Sequence, residues 1–333
     1  MRIFICGFGT VGQGFVEALV MKKSYFKKNF AEDIRIVGVM DSKTYAVCQD
    51  GLDPCALLNA KKETGRVGTE TYTDSVDVLS KVIFDIMVEV TPTDVNDGGV
   101  GLTNMRFALE RGKDVITVNK GPLALKYKEL MDLAKANGCM LRFEGSVGGG
   151  MPIINLCLND LAGQKIKSIR GIFNGTCNYI LSKMDNGQPF EQALKEAQQQ
   201  GYAESDPTND VEGYDSACKV AILANSIFGK NVTFDDVEIT GITNINADAV
   251  ALAKTNGMVI RLIGEVSANK LEVAPRLVPK GHPLSLPGTL NTAEIMTEFA
   301  GPITVSGAGA GRMETASAML SDLVAILEKR LGV

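Results

Sequence analysis

Histidine is nearly absent from this sequence: His282 is the only one in 333 residues. That scarcity removes His-rich metal sites and most Ser–His or Cys–His catalytic pairs, which need an imidazole as ligand or base. Paired cysteines are missing as well. The seven present (Cys6, Cys48, Cys55, Cys139, Cys157, Cys177 and Cys218) are odd in number, widely scattered and contain no C-x-x-C pair. Several lie in apolar runs, so they read as small reduced core residues rather than a disulfide frame or a zinc site. No basic run or interleaved aromatic stripe occurs, and the net charge is −5. Both argue against nucleic-acid binding, which rests on clustered Lys and Arg. No uninterrupted apolar run is long enough to span a bilayer. The first 20 residues, MRIFICGFGTVGQGFVEALV, imitate a signal peptide, but four glycines break the apolar stretch and no small-residue cleavage site follows. A cytoplasmic protein is expected.

What is present is an ordinary globular mixture, with 45% hydrophobic and 22% charged residues, long enough for two domains. Residues 2–6 form a short apolar run, a Gly-rich turn follows, and a helical pattern carries Phe15, Val16, Leu19 and Val20. Further β-like runs at 34–40, 82–90, 114–118 and 139–143 alternate with helical patterns at 103–111 and 123–137. This rhythm predicts an α/β fold, a Rossmann-type doubly wound parallel sheet. It changes at Glu144-Gly145-Ser146-Val147-Gly148-Gly149-Gly150-Met151-Pro152, where three glycines before a proline mark a hinge. A strand at 165–173, helices up to about 228 and an antiparallel pair at 258–268 and 270–278 suggest a second, α+β domain. The expected division is a nucleotide domain over 1–143, completed by the C-terminal segment 303–333, and a second domain over 144–302.

The turn Gly7-Phe8-Gly9-Thr10-Val11-Gly12 has the spacing of a dinucleotide fingerprint in its required place, after a strand and before a helix. Gly7 permits the tight turn, Gly9 lets the backbone approach a pyrophosphate, and Gly12 lets the helix pack close to the strand. Free N–H groups at the helix N-terminus then face the phosphates. Asp41 ends the second strand, where an acid would hold the adenosine ribose. It lies 29 residues beyond Gly12 rather than the usual spacing of about 20, and residues 23–33 are expected to be an extra loop that accounts for the difference. Lys43 beside it is suited to a 2′-phosphate, so NAD and NADP remain alternatives. Thr91-Pro92-Thr93 and Asn119-Lys120 fall at carboxyl ends of sheet strands, the edge where such sheets bind ligands.

The segment GYAESDPTNDVEGYDSACK, 201–219, crowds Glu204, Asp206, Asp210, Glu212 and Asp215 before a helix that carries Lys219. Asp215 and Lys219 are four apart and share one helix face. Such a pair is also ordinary surface decoration, and acids favour a helix N-terminus. A functional reading needs a substrate with an ammonium group and a group that gains or loses a proton. Glu144 with the Val147–Gly150 turn suits a hard monovalent cation; a plain hinge is the alternative.

Together GFGTVGQG, VITVNKGPLA, EGSVGGGMPIINL, GIFNGTCNYILSKM, GYAESDPTNDVEGYDSACKVAILAN and GAGAGRMETASAML resemble the homoserine dehydrogenase family, in that family's order and over essentially the whole chain. The resemblance implies reversible hydride transfer between NADPH or NADH and L-aspartate 4-semialdehyde, giving L-homoserine on the route to threonine, methionine and isoleucine. By the same resemblance Phe8, Thr10, Val11, Thr91, Lys120 and Gly311 are cofactor positions, and Pro92 joins them from its place at the strand end. Gly201, Glu204 and Asp215 match substrate positions and Lys219 the proton donor to the carbonyl oxygen; Asp210 and Lys219 are also expected to bind substrate, and Lys120 to assist Lys219. Glu144, Val147, Gly149 and Met151 match a structural sodium site. Asn209 departs from the pattern, since relatives can carry a second acid beside Asp210. A homodimer through strands of the second domain is implied. The chain ends soon after its last helix, so no regulatory domain and no threonine inhibition through one are expected. An aspartate semialdehyde dehydrogenase would need a nucleophilic Cys with a His base, which His282 serves poorly. A non-catalytic NAD(P)-binding sensor would have no reason to keep Asp215 and Lys219 together.

Overall fold

The structure, a computed structural model, describes residues 1–332. It divides into two units, Met1–Ser146 joined by the segment from Gly311 onward, and Val147–Ala310.

The first unit alternates strands and helices: β1 (Arg2–Cys6), α1 (Thr10–Phe30), β2 (Arg35–Met40), β3 (Thr44–Val47), α2 (Pro54–Thr64), β4 (Glu70–Thr71) and α3 (Ser75–Leu79). Then come β5 (Ile86–Glu89), α4 (Gly99–Glu110), β6 (Asp114–Thr117), α5 (Lys120–Ala136) and β7 (Leu141–Arg142). The sheet order is β4-β3-β2-β1-β5-β6-β7. The β2-β1-β5-β6-β7 run is parallel, and β3 and β4 add an antiparallel edge. Ile3, Phe4, Ile5, Ile86, Met87 and Val88 are all fully buried, as strands covered on both faces must be.

Residues 23–30 are helix rather than the expected loop, because α1 runs for 21 residues. Its inner stripe continues from Phe15 and Leu19 to Phe26, which is buried, and Phe26 stands 6.3 Å from Phe30, ring to ring. The added helical turns therefore account for most of the wide interval between Gly12 and Asp41. The apolar run at 82–90 gives a shorter strand, β5, and residues 82–85 lead into it as irregular chain, with Asp85 pinned by Arg2 at 2.7 Å.

The second unit opens with α6 (Ile153–Asn155), extended by a π-helical turn over Leu156–Asp160, and β8 (Ile166–Ile172). It continues with α7 (Gly175–Asp185), α8 (Phe190–Gln199), α9 (Thr208–Val211), α10 (Tyr214–Phe228), β9 (Glu238–Ile239) and α11 (Ala247–Thr255). The strands β10 (Met258–Ser267), β11 (Leu271–Pro279), β12 (Leu290–Thr297) and β13 (Pro302–Ala308) complete a six-stranded sheet ordered β13-β12-β8-β10-β11-β9. The antiparallel pair read from the sequence is β10 with β11. Helix α10 is buried continuously from Ser216 to Asn225. A helix enclosed on every side shows no amphipathic stripe.

The chain then returns to the first unit as α12 (Arg312–Leu331). Met319, Leu323, Ile326 and Leu327 join the core formed by Phe15, Val16 and Leu19. A Cβ at Gly14 would lie 2.4 Å from the Arg312 carbonyl oxygen, so that glycine lets α1 and α12 touch backbone to backbone. Arg312 clamps Glu17 with two bonds of 2.6 and 2.9 Å. Among the described residues no helix is long and apolar enough to cross a membrane.

Candidate active site

In the first unit the Gly-rich turn joins β1 to α1. Gly7 has φ +98°, and a Cβ there would lie 2.5 Å from the Val90 carbonyl oxygen. An L side chain is barred twice over, by the dihedral and by the neighbouring strand. Gly12 is barred by a contact of 2.3 Å with the Gly7 oxygen, whereas a Cβ on Gly9 would meet nothing within 4 Å. Space therefore opens over Gly9, at a helix start that no side chain caps. Uncapped first-turn N–H groups beside open space are what a pyrophosphate requires, so the residues present fit a dinucleotide. Phe8 is buried beneath the turn, Thr10 is exposed and Val11 half-buried.

Asp41, at the end of β2, is 6% exposed and already heavily engaged. Its Oδ1 accepts the N–H groups of Lys43 and Thr44, both at 2.8 Å, and its Oδ2 accepts Lys61 Nζ at 2.6 Å. Burial pushes this carboxyl up, but Lys61 and the two amides outweigh it and hold it below its ordinary range. Lys43 contributes its backbone here, and its side chain is exposed. The cation against Asp41 is Lys61, from α2, which sequence reasoning missed: it lies 20 positions away and only the fold of α2 against β2 brings it there.

At the ends of β5 and β6 a buried polar network holds two loops together. Glu89 is fully buried. It accepts the Thr91 N–H at 2.8 Å, the Thr91 hydroxyl, and Asn104 Nδ2 at 2.9 Å. Asn119 Nδ2 reaches Thr91 Oγ1 at 3.2 Å and the Pro92 carbonyl at 3.4 Å, while its Oδ1 caps α5 at Gly121. Thr117 Oγ1 donates to the Glu89 carbonyl and accepts the Asn119 N–H, both at 3.0 Å. Thr91 and Pro92 are thereby tied to Asn119, and half-buried Lys120 occupies the first position of α5. Gly311 precedes α12 with φ +143°.

In the second unit β8 runs into Phe173 and Asn174, and α10 lies beside them. Lys219 Nζ donates to the Phe173 carbonyl at 2.5 Å and to Asp215 Oδ2 at 2.6 Å. The i,i+4 pair is thus made, and made inside the protein, with Lys219 only 7% exposed. Asn174 Nδ2 donates to Asp210 Oδ1 at 2.6 Å and to Asp215 Oδ2 at 3.0 Å, and its Oδ1 caps α7 by accepting the Cys177 N–H at 2.8 Å. Burial, then the Asp215 charge, push the Asp210 carboxyl up against Asn174 and Lys219, which pull it down. Glu204 and Gly201 lie in the exposed turn before α9, Gly201 at φ +75°. Asn174 is the second residue missed from sequence. The signal was there, an Asn directly before the helical GTCNYIL, but an N-cap reading gives it no functional role.

Of the residues matched to a sodium site, Glu144 belongs to the first unit, where its N–H donates to Asp322 Oδ2 at 2.9 Å. Val147, Gly149 and Met151 belong to the second, Gly149 with φ +58°. Among the described residues no group of three or more His, Cys, Asp or Glu side chains is placed to hold a metal.

A family model described as homoserine dehydrogenase matches residues 152–324, and one described as homoserine dehydrogenase, NAD binding domain, matches residues 7–144. A homoserine dehydrogenase of Methanocaldococcus jannaschii is 48% identical over 98% of each chain. An NAD(+)-dependent homoserine dehydrogenase of Pseudomonas canavaninivorans is 38% identical, covering 98% of this chain and 96% of its own. A crystal structure from Archaeoglobus fulgidus, provisionally described as a homoserine dehydrogenase, superposes with a TM-score of 0.91 at 45% identity, over 98% of this chain and 99% of that one. A hyperthermophilic archaeal homoserine dehydrogenase in complex with NADPH gives 0.85 at 30% identity over 98% of each chain.

Proposed function

This chain belongs to the homoserine dehydrogenase family, and on that premise we propose how its residues divide the reaction. The enzyme interconverts L-aspartate 4-semialdehyde and L-homoserine with NAD or NADP. When bound, the nicotinamide supplies the hydride that turns the aldehyde carbon into a primary alcohol. Everything else falls to the chain's own groups.

Gly7, Phe8, Gly9, Thr10, Val11 and Gly12 hold the pyrophosphate, and Thr91, Pro92, Lys120 and Gly311 complete the cofactor site. Lys219 donates a proton to the carbonyl oxygen as hydride arrives at the carbon. The observation that carries this role is the buried arrangement of Lys219: two of its three N–H groups are taken by Phe173 and Asp215, which aims the third. Lys120, in the first unit, is the second lysine that the family resemblance assigns to the chemistry. Glu204, Asp210 and Asp215 bind the substrate's ammonium group, beside Gly201, with Asn174 holding two of these acids in place. A preorganised donor of this kind typically contributes 10²–10⁴-fold in rate.

Asp41 and Lys61 set the cofactor preference between them, with Lys43 outside the pair. An Asp41 carboxylate paired with Lys61 tolerates a 2′-phosphate better than a bare carboxylate would, which supports use of NADP alongside NAD. A sodium ion held mainly by carbonyls of the Val147–Met151 turn, with Glu144, is carried by the family resemblance; thermal denaturation with sodium against potassium chloride tests it. Homodimerisation through strands of the second unit, and a place in threonine, methionine and isoleucine synthesis, rest on the same footing.

The deciding assay is consumption of NADH or NADPH on addition of aspartate semialdehyde. Oxidation with homoserine as product is expected, and cofactor binding without turnover would overturn the reading.

A further inference from the structure

Glu89 is a fully buried acid that the proposed chemistry does not use. Hydrophobic strands surround it: it closes β5, flanked in register by Cys6 of β1 and Thr117 of β6. Every group bonded to its carboxyl is a donor, namely the Thr91 N–H and hydroxyl and the Asn104 amide. Burial pushes this carboxyl up and the donors pull it down; the two N–H groups solvate an anion and offer nothing to a neutral acid's proton. A Cβ on Gly101 would lie 2.4 Å from Asn119 Nδ2 and 3.2 Å from Thr91 Oγ1, so α4 is kept bare just where the network needs room.

The position of this acid in the sheet matters. Going out from β1, the chain fills β2 and β3 on one side and β5, β6 and β7 on the other. A dinucleotide crosses such a switch point with its adenosine on the β2 side and its nicotinamide on the other. Glu89 therefore underlies the loops at Thr91–Pro92 and Asn119–Lys120, on the nicotinamide side. The turn that receives the pyrophosphate packs directly on the residue after it, Gly7 against Val90.

We propose that Glu89 is a buried anion that favours the oxidised, positively charged nicotinamide over the reduced one, through its field rather than by contact. This rests on the cofactor site assigned above. The oxidised ring carries one more unit of positive charge than the reduced ring, so a fixed carboxylate within roughly 10 Å, screened only by protein, shifts their relative affinity by about fivefold or more. Glu89 also braces both loops, and a bracing role alone would change the two affinities together.

The test is calorimetric or fluorescence titration of the full chain with NAD⁺ and NADH, and with NADP⁺ and NADPH. Glu89→Gln and Glu89→Met each remove the charge, the second without adding a donor that opposes Asn104, so either one that folds gives the answer. In both, the ratio of Kd for the oxidised form to Kd for the reduced form should rise at least about fivefold, whatever happens to the absolute values. Glu89→Asp, which keeps the charge, should leave the ratio near that of the parent. An unchanged ratio in the neutral variants, with both forms bound, overturns this inference and leaves the cofactor site standing. A parent that binds neither form overturns both.

Discussion

Asp322 accepts the Glu144 N–H at 2.9 Å although 178 positions separate them. This bond ties the C-terminal helix to the chain just beyond β7, and Arg142 Nε stands 3.4 Å from the other carboxylate oxygen. Burial pushes the Asp322 carboxyl up to about 6, against Arg142 and the Glu144 amide, which pull it down. The folded state thus binds a proton that the unfolded chain has released, over the interval between the ordinary Asp value and 6. The stability linked to this group is full at the acid end and is lost as pH rises through 6. Over that interval the parent should lose about 3 kcal/mol relative to Asp322→Asn, whose amide does not titrate. Urea midpoints of both proteins from pH 4 to 7.5 measure it; parallel curves would refute the assignment.

Lys219→Met should lower kcat by about 10²–10⁴-fold, since it removes the proton donor. The NADH dissociation constant should stay within about threefold of the parent, because the partners of Lys219, the Phe173 carbonyl and Asp215, are not cofactor positions. Turnover at the parental rate would remove Lys219 from the mechanism.

Asn174→Leu leaves Asp210 and Asp215 without their shared donor and strips α7 of its cap. The cap alone is worth about 1 kcal/mol. Substrate binding should suffer more: KM for homoserine should rise by about tenfold or more, as Asp210 loses its donor and the two acids are no longer held together. The KM for the cofactor is the internal control, and an equal rise in both would indicate general loosening instead.

Removing Lys61 and removing Asp41 should move cofactor preference in opposite directions. Lys61→Ala leaves a bare carboxylate at the end of β2, and the ratio of kcat/KM with NADPH to that with NADH should fall about tenfold, equivalent to roughly 1.4 kcal/mol. Asp41→Asn frees Lys61 for a phosphate, and the ratio should rise. Identical shifts in both variants would show that the pair acts only as a structural clasp.

Gly9 and Gly12, three residues apart, offer a contrast. Gly12→Ala forces a Cβ against the Gly7 oxygen and should destabilise the fold by about 1–3 kcal/mol. Gly9→Ala points into open space. It should leave the melting temperature nearly unchanged while weakening cofactor binding, because the added methyl occupies ground that a phosphate would use. Differential scanning fluorimetry with and without cofactor separates the two effects.

The residues alone determine a good deal here. A turn of three spaced glycines between an apolar strand and a helix is local geometry, readable because it depends on neighbours only a few positions away. The same holds for the i,i+4 placement of Asp215 and Lys219, which follows from helical periodicity, and for the parallel sheet implied by alternating strands and helices. Tertiary structure decided what those residues face. Asp41 ends its strand as expected, but its partner is Lys61 from a later helix. Lys219 is a buried amine held by Phe173, which directly follows β8 and lies 46 positions earlier. Asn174 bridges two acids that local sequence shows only as a crowd, and Glu89 reads as one more polar residue at a strand end until Thr91, Asn104 and Asn119 are seen closing around it. The reason is physical: periodicity records which side of an element a residue occupies, whereas pairing and burial depend on which other elements pack there, and that information is spread along the whole chain.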